Sequence, residues 1–275
     1  MNWYSTSGTG SVTSAGTRGD DSDAMNGNAV MYDAGKILTV GGATSYEQVN
    51  ARAGAYVLTV TGSTVTTRKV APMANPRAFH NSVVLPDGKV VVFGGQNFPV
   101  PFSDNTAVLS AELWDPATEQ FTTMAPAAVP RTYHSVALLM PDGRVFTGGG
   151  GLCGTGCATN HLDGEIFTPP NLLNSDGTPA SRPAITAAPT TAANGNSITV
   201  STNRAVSQFA IVRMGTATHS VDTDQRRIAL APTAVSGGYR LTIPADPGVA
   251  LPGYWMLFAI DSAGVPSVAT IVRIG

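Results

Sequence analysis

The sequence predicts an all-β protein, an incomplete β-propeller followed by an antiparallel β-sandwich, and three observations carry that expectation. Three segments align with one another: "NAVMYDAGKILTVGG", "NSVVLPDGKVVVFGG" and "HSVALLMPDGRVFTGGG". Their turn glycines, Gly35, Gly88 and Gly143, lie 53 and 55 residues apart. A period near ~50 residues that joins a hairpin turn to a glycine pair is the signature of a kelch-type propeller, with one four-stranded blade per repeat. No segment reads as a helix. The repeat stops after "RPAITAAP", and from about Pro183 the pattern changes to short alternating strands broken by turns, the pattern of an immunoglobulin-sized sandwich.

Taken in order, each repeat opens with a strand, turns at a glycine that follows an aspartate (directly, as Asp-Gly, in the second and third), and continues into an apolar strand ending in the glycine pair. The turn is expected to supply the positive φ angles of a two-residue hairpin, and the run after it to be buried near the propeller's centre. "AELWDPATEQFTTMAP" reads as two outer strands around a turn at Asp115-Pro116. "NSITVST", "QFAIVRM" and "YRLTIPA" read as strands of the sandwich. The division expected is residues 1–181 for the partial propeller and 182–275 for the immunoglobulin-like domain. Propellers close with about four to eight blades, so roughly three do not form a ring by themselves.

With 275 residues, 43% of them hydrophobic, the chain has ample material for a core. Only 12% of residues are charged and the formal net charge is -2, without the basic footprint of a nucleic-acid binder or a membrane-surface patch. The longest apolar runs, "VALLM" and "YWMLFAI", are far short of the ~20 residues that cross a bilayer. Polarity comes mainly from Thr, Ser, Asn and Gly, a balance associated with extracellular β-proteins. The first thirty residues show no secretory signal, so a secreted protein would have its true N-terminus upstream or removed. Cys153 and Cys157, in "GLCGTGC", admit a short-range disulfide, a free pair or half a metal site.

The candidate chemistry lies where two repeats differ. "PRAFHNSVVL" matches "PRTYHSVALL", so Arg77 corresponds to Arg131, Phe79 to Tyr133 and His80 to His134. One reading makes Arg-x-aromatic-His a blade-building element, its ring packed and its imidazole bonded to a neighbouring strand. The other starts from the phenol that only the third repeat carries. Its pKa is about 10 when unperturbed, and a nearby metal can deprotonate it to a hard anionic ligand beside an imidazole. Adjacent strand residues point to opposite faces, so Tyr133 and His134 share a metal only where the strand starts or bends. A third ligand must come from elsewhere, and His219 in "RMGTATHSVDTDQRRIAL" is the candidate.

"MNWYSTSGTG", "DAMNGNAVMYD", "YHSVALLMPDGRVFTGGGGLCG", "GTATHSVDTDQRRI" and "LPGYWMLFAIDSAGVPSVA" resemble the C-terminal half of the galactose oxidase and glyoxal oxidase family of copper-radical oxidases. The resemblance implies a seven-bladed propeller followed by an early-set immunoglobulin-like domain, one of whose loops delivers a histidine to copper. Tyr133 then resembles the axial tyrosine that serves as base, and His134 and His219 the two imidazole ligands. Phe102, Tyr46 and Glu47 occupy places resembling the substrate-facing rim, and Cys153 and Cys157 the counterpart of a local disulfide. Asn26 begins a repeat and reads as a strand-start residue rather than a ligand. The family's tyrosyl-cysteine radical cofactor belongs to N-terminal blades, and this chain has no cysteine to replace it. The implied function is part of a secreted oxidase acting on carbohydrates, primary alcohols or aldehydes with O2 to give H2O2. The chain by itself is expected to be inactive, with the missing blades as its partner. The competing expectation is a non-catalytic module that binds glycans or protein partners.

Overall fold

The computed structural model describes residues 1–275, all strands and turns apart from one 3-10 turn at Pro170–Leu172. Two four-stranded antiparallel sheets form the first blade (Asn28–Asp33, Lys36–Val40, Ala55–Thr61, Thr64–Val70) and the second (Ala78–Val84, Val90–Gln96, Ser110–Asp115, Gln120–Pro126). The third blade has three strands, Ser135–Leu139, Val145–Gly149 and Gly164–Phe167. An N-terminal hairpin, Asn2–Ser5 with Ser11–Ser14, is a separate two-stranded sheet. The segment "AELWDPATEQFTTMAP" forms the expected outer pair, turning after Asp115.

Two details depart from the sequence reading. Only the first blade has a two-residue hairpin, with Asp33 opposite Lys36. In the second, Leu85 N–H donates to the Lys89 carbonyl and Gly88 N–H to the Leu85 carbonyl, and only Gly88 takes positive φ, at 91°. That is a three-residue loop closed by one left-handed residue, and the bonds among Met140, Gly143 and Arg144 repeat it in the third blade. Moreover, the first strand of each blade packs beside the first strand of the next, so the strand before the turn, rather than the one after it, lies on the axis side.

The glycine pairs are junctions between blades. Gly42 N–H donates to the Arg77 carbonyl at 2.9 Å and Gly95 N–H to the Arg131 carbonyl at 2.8 Å. A Cβ at Gly94 would lie 1.9 Å from the Arg131 carbonyl oxygen, an impossible contact, so only glycine lets the next blade's entry cross here. The arginine side chains then knit each blade together. Arg77, fully buried, donates to the Gly94 and Ser110 carbonyls and pairs with Glu112 at 2.6 Å. Arg131 donates to the Gly149 carbonyl and pairs with Asp163 and Glu165.

The sandwich has a four-stranded sheet (Ile185–Ala187, Ser197–Thr202, Gly238–Thr242, Thr233–Val235) and a five-stranded one (Thr191–Ala192, Thr270–Ile274, Gly253–Ile260, Gln208–Arg213, Arg227–Leu230). Alternation in the five-stranded sheet explains the unbroken run "YWMLFAI". Trp255, Leu257, Phe209 and Ile211 face the sandwich core with Ile198 and Leu241. Met256, Phe258 and Val212 face the other way, into a core shared with Val30, Val84, Val92 and Trp114 of the blades. A sheet buried on both faces needs apolar residues at every position. Polar bonds seal the same interface: Arg227 Nε donates to the Pro86 carbonyl at 2.7 Å and Arg182 Nη1 to the Asp142 carbonyl at 2.7 Å. Gln225 bonds the first strand of the second blade through Ser82 O at 2.6 Å and Val84 N at 3.1 Å.

Candidate metal centre

Between two strands of the five-stranded sheet the chain throws out a short hairpin, Ala217–Thr218 paired with Val221–Asp222. Its two tip residues, His219 and Ser220, have φ of 51° and 63°, the pair of positive angles that a two-residue turn demands. Neither is glycine, so the turn costs roughly 1–3 kcal/mol per residue that surrounding contacts must offset. At the base, Asp222 Oδ1 accepts from the amides of Thr216, Asp224 and Gln225 at 3.1 Å each. At the tip, Ser220 N–H donates to the Ser135 carbonyl and Ser220 Oγ to the Thr132 carbonyl, both at 3.2 Å. The sandwich thus places His219 against the entry of the third blade.

Tyr133 and His134 stand in a turn ahead of the strand that begins at Ser135. Ser135 N–H donates to the Thr132 carbonyl at 3.0 Å, and His134 has φ of 66°. The strand's alternation is suspended there, and adjacent side chains turn to one side: the rings of Tyr133 and His134 stack at 3.8 Å with 29° between their planes. The matching residues of the second blade behave differently. There the left-handed residue is Phe79, with φ of 56°, and the strand already runs from Ala78. His80 is therefore carried into the strand, fully buried, with no hydrogen-bond partner of standard geometry for either ring nitrogen.

The His134 and His219 rings approach to 4.7 Å between centroids at 79°, and the Tyr133 and His219 rings to 6.1 Å. His134 Nδ1 is 2.9 Å from the Gly151 carbonyl, which only accepts, so Nδ1 carries the proton. His219 Nδ1 is bonded to Thr218 Oγ1 at 2.7 Å. Both imidazoles use Nδ1 within the protein, and neither Nε2 atom is engaged in a hydrogen bond. Outer bonds of this kind orient metal-ligating histidines. No group of three His, Cys, Asp or Glu side chains converges in the chain; the group nearest the two imidazoles is the Tyr133 phenol ring.

Aromatic rings surround Tyr133: Phe79 at 5.0 Å, Phe102 at 5.2 Å and Tyr46 at 6.2 Å. Phe102 and Tyr46 remain 44% and 41% exposed, placing them at the mouth. Desolvation first, then the neighbouring Tyr133 phenol and the Glu47 charge, push the Tyr46 phenol up to about 12. Glu47 is exposed, and that charge is the only link it shows to the cluster. The mouth is laced across blades by Gln48 N–H to the Pro99 carbonyl and Ala51 N–H to the Asn97 carbonyl, at 2.9 and 2.8 Å. Asn26 donates to the Tyr46 carbonyl at 2.7 Å; it stands with φ of 59° in a turn ahead of the strand that begins at Asn28, rather than at the strand's start. Cys153 and Cys157 are joined in a disulfide, and Thr159 Oγ1, beside both sulfurs, bonds the Phe102 carbonyl at 3.2 Å.

Sequence reasoning brought Tyr133, His134, His219, Phe102 and Tyr46 to one place. It missed Phe79 as a packing partner of Tyr133, and Gly151 and Thr218 as the groups that orient the imidazoles. The only trace of the last is a threonine immediately before His219. It also missed the buried Arg77–Glu112 pair and the part-exposed Arg131–Glu165 pair, whose signal is Glu112 and Glu165 at matching places in "AELWD" and "GEIFT".

A propeller arc that presents a phenol and an imidazole at one blade entry, completed by an imidazole on a finger from an early-set sandwich, defines a class of two-part proteins with a shared centre. The chain belongs to the galactose oxidase and glyoxal oxidase family: residues 182–274 match the family model described as galactose oxidase-like, early set domain, and residues 28–155 the one described as glyoxal oxidase N-terminus. It is 50% identical over 286 residues to a galactose oxidase of Gibberella zeae, an alignment covering 100% of this chain and 42% of that protein. An aldehyde oxidase of Arabidopsis thaliana is 29% identical over 229 residues, covering 75% of this chain and 37% of the relative. A fungal alcohol oxidase of the AA5 family, solved in complex with copper, superimposes with a TM-score of 0.96 at 47% identity, covering 99% of this chain and 59% of that one. The chain therefore spans less than half the length of these curated relatives.

Proposed function

We propose that this chain forms part of a secreted copper-dependent oxidase that converts primary alcohols, sugars or aldehydes, with O2 as the electron acceptor and H2O2 as the product. The observation that carries this reading is the convergence of Tyr133, His134 and His219 from two structural units with both imidazole Nε2 atoms free. Two nitrogens and a phenol oxygen suit Cu(II) in a tetragonal site. The likeness to an alcohol oxidase solved with copper supports the same reading. The disulfide supports an oxidising compartment, since such bonds persist outside the cytosol. No helix is long and apolar enough to cross a membrane.

Bound copper supplies a one-electron acceptor and lowers the pKa of the phenol and of a hydroxyl placed beside it. His134 and His219 would hold it, each oriented by its Nδ1 bond. Tyr133, as phenolate, takes the proton of the substrate hydroxyl and acts as general base. Tyr46 stays protonated at neutral pH, its ring edge-on to that of Tyr133. Phe102 and Tyr46 offer ring faces for the apolar side of a sugar, and Glu47 an acceptor for its hydroxyls. Alcohol oxidation removes two electrons, so a second one-electron acceptor is needed. The two cysteines are bonded to each other, so no tyrosyl-cysteine cofactor forms within this chain, and the acceptor is assigned to the remaining length of the protein.

Electron paramagnetic resonance of the copper-loaded chain tests the assignment. The expected spectrum shows nitrogen coupling from two imidazoles that is lost when His134 and His219 are both replaced by Ala. An unchanged spectrum in that double variant overturns it. The isolated chain is also expected to release no H2O2 above a free-copper control with galactose, glycerol or glyoxal.

A further inference from the structure

We infer that Asn28, at the start of the first blade and remote in sequence from every candidate ligand, is a positioning residue that holds His219 in the centre. The inference rests on the reading of His219 as a metal ligand and goes beyond it. Asn28 is buried, and its Nδ2 donates to two carbonyls: that of His80 in the second blade, and that of Ser220 at the finger tip, the latter at 3.2 Å. The two N–H bonds of one amide are thereby spent on two backbone oxygens that have no hydrogens to give.

Ser220 is the residue through which the finger is held. It is 1% exposed, and all three of its polar groups bond to the propeller: its amide to Ser135 O, its hydroxyl to Thr132 O, and its carbonyl to Asn28. The first two bonds reach the third blade and the last reaches the first, so Asn28 closes a clasp that spans the arc. His219 itself is exposed, and its own ring is bonded only to the neighbouring Thr218. The hairpin pairing of Thr218 with Val221 shapes the tip, and the Ser220 bonds set where that tip sits on the blades. The left-handed φ of both tip residues adds a cost that the clasp must hold against. Replacing Asn28 by Asp keeps the size and shape but turns two donors into acceptors facing two carbonyl oxygens. The tip should be released and the histidine with it.

The test is a double-mutant cycle on Cu(II) affinity of the whole chain, measured by competition with a chelator of known affinity. Asn28→Asp is expected to weaken binding about ten- to a hundredfold, the range found when groups that orient metal ligands are removed. The imidazole nitrogens coupled in the resonance spectrum should fall from two to one. In a His219→Ala background the same substitution should change neither quantity. An equal loss in both backgrounds, or no loss in the native one, overturns the inference. Amide hydrogen exchange of the metal-free chain gives an answer independent of copper. Exchange at Ser220 should accelerate in Asn28→Asp while Ile211 and Leu257 in the sandwich core stay protected. Unchanged exchange at Ser220 overturns the positioning role, whereas failure of the native chain to bind copper through its histidines overturns only the ligand assignment. Should Asn28→Asp not fold, Asn28→Ala, which leaves room for water at the two carbonyls, is read in the same way.

Discussion

Arg77 and Glu112 are joined at 2.6 Å with neither side chain exposed to solvent. Glu112 also accepts from the amides of Ala74 and Asn75, at 2.6 and 3.1 Å. The pair thus ties the entry of the second blade to its third strand, and the Arg77 carbonyl receives Gly42 from the blade before.

Removing one partner of a buried pair leaves an uncompensated charge, which costs about 3–5 kcal/mol. Glu112→Ala is expected to destabilise the chain by that amount in denaturant unfolding. The double substitution Arg77→Met with Glu112→Leu, which removes both charges, should cost distinctly less. Equal losses would mean that packing rather than charge compensation dominates at this junction.

Tyr46 should titrate near 12 in the native chain. Tyr133→Phe removes the neighbouring phenol that helps raise it, so the Tyr46 transition is expected to move toward the ordinary value near 10. Burial is the first cause of the shift, so the move should be partial. Ultraviolet difference titration of the two proteins checks this, and an identical Tyr46 transition in both would remove the phenol pair from the description of the site.

His80 is fully buried, and desolvation followed by the nearby Arg77 charge lowers its pKa to about 3. The folded state therefore resists protonating it, while the unfolded chain takes up the proton near 6.5. Between those values the unfolded state binds more protons, so stability rises with pH and is lost as pH falls from about 6.5 toward 3. His80→Gln should flatten that part of the profile in chemical denaturation at graded pH. A profile as steep as the native one would assign the acid sensitivity to other groups.

Residues 182–275 have a core of their own, built around Trp255, Phe209 and Leu241, and we propose them as an autonomous domain. Expressed alone, they expose Val212, Met256 and Phe258, which the blades cover in the whole chain. The fragment should fold with a sandwich circular dichroism spectrum, bind the dye ANS, and melt below the intact chain. A fragment that melts at the same temperature without binding dye would show that the shared core contributes little.

Much of this was legible in one dimension. The period of the repeats, the turn glycines Gly35, Gly88 and Gly143, and the change of pattern near Pro183 announced blades followed by a sandwich, because local backbone geometry and alternation are written residue by residue. The contrast of Phe79 with Tyr133 singled out the phenol for the same reason: both sit in one motif, and a single oxygen separates them. What sequence could not decide is how neighbouring residues are aimed. Tyr133 and His134 share a side only because the third blade's strand starts later than the second's, which displaces the left-handed residue by one place and leaves His80 buried where His134 is free. The finger that carries His219 lies far along the chain, and its position follows from the packing of Met256, Phe258 and Val212 on the blades and from bonds to Ser220. Bonds between the sandwich and the blades join residues 192 and 196 positions apart. No local pattern encodes them, because they form only when two independently patterned surfaces meet.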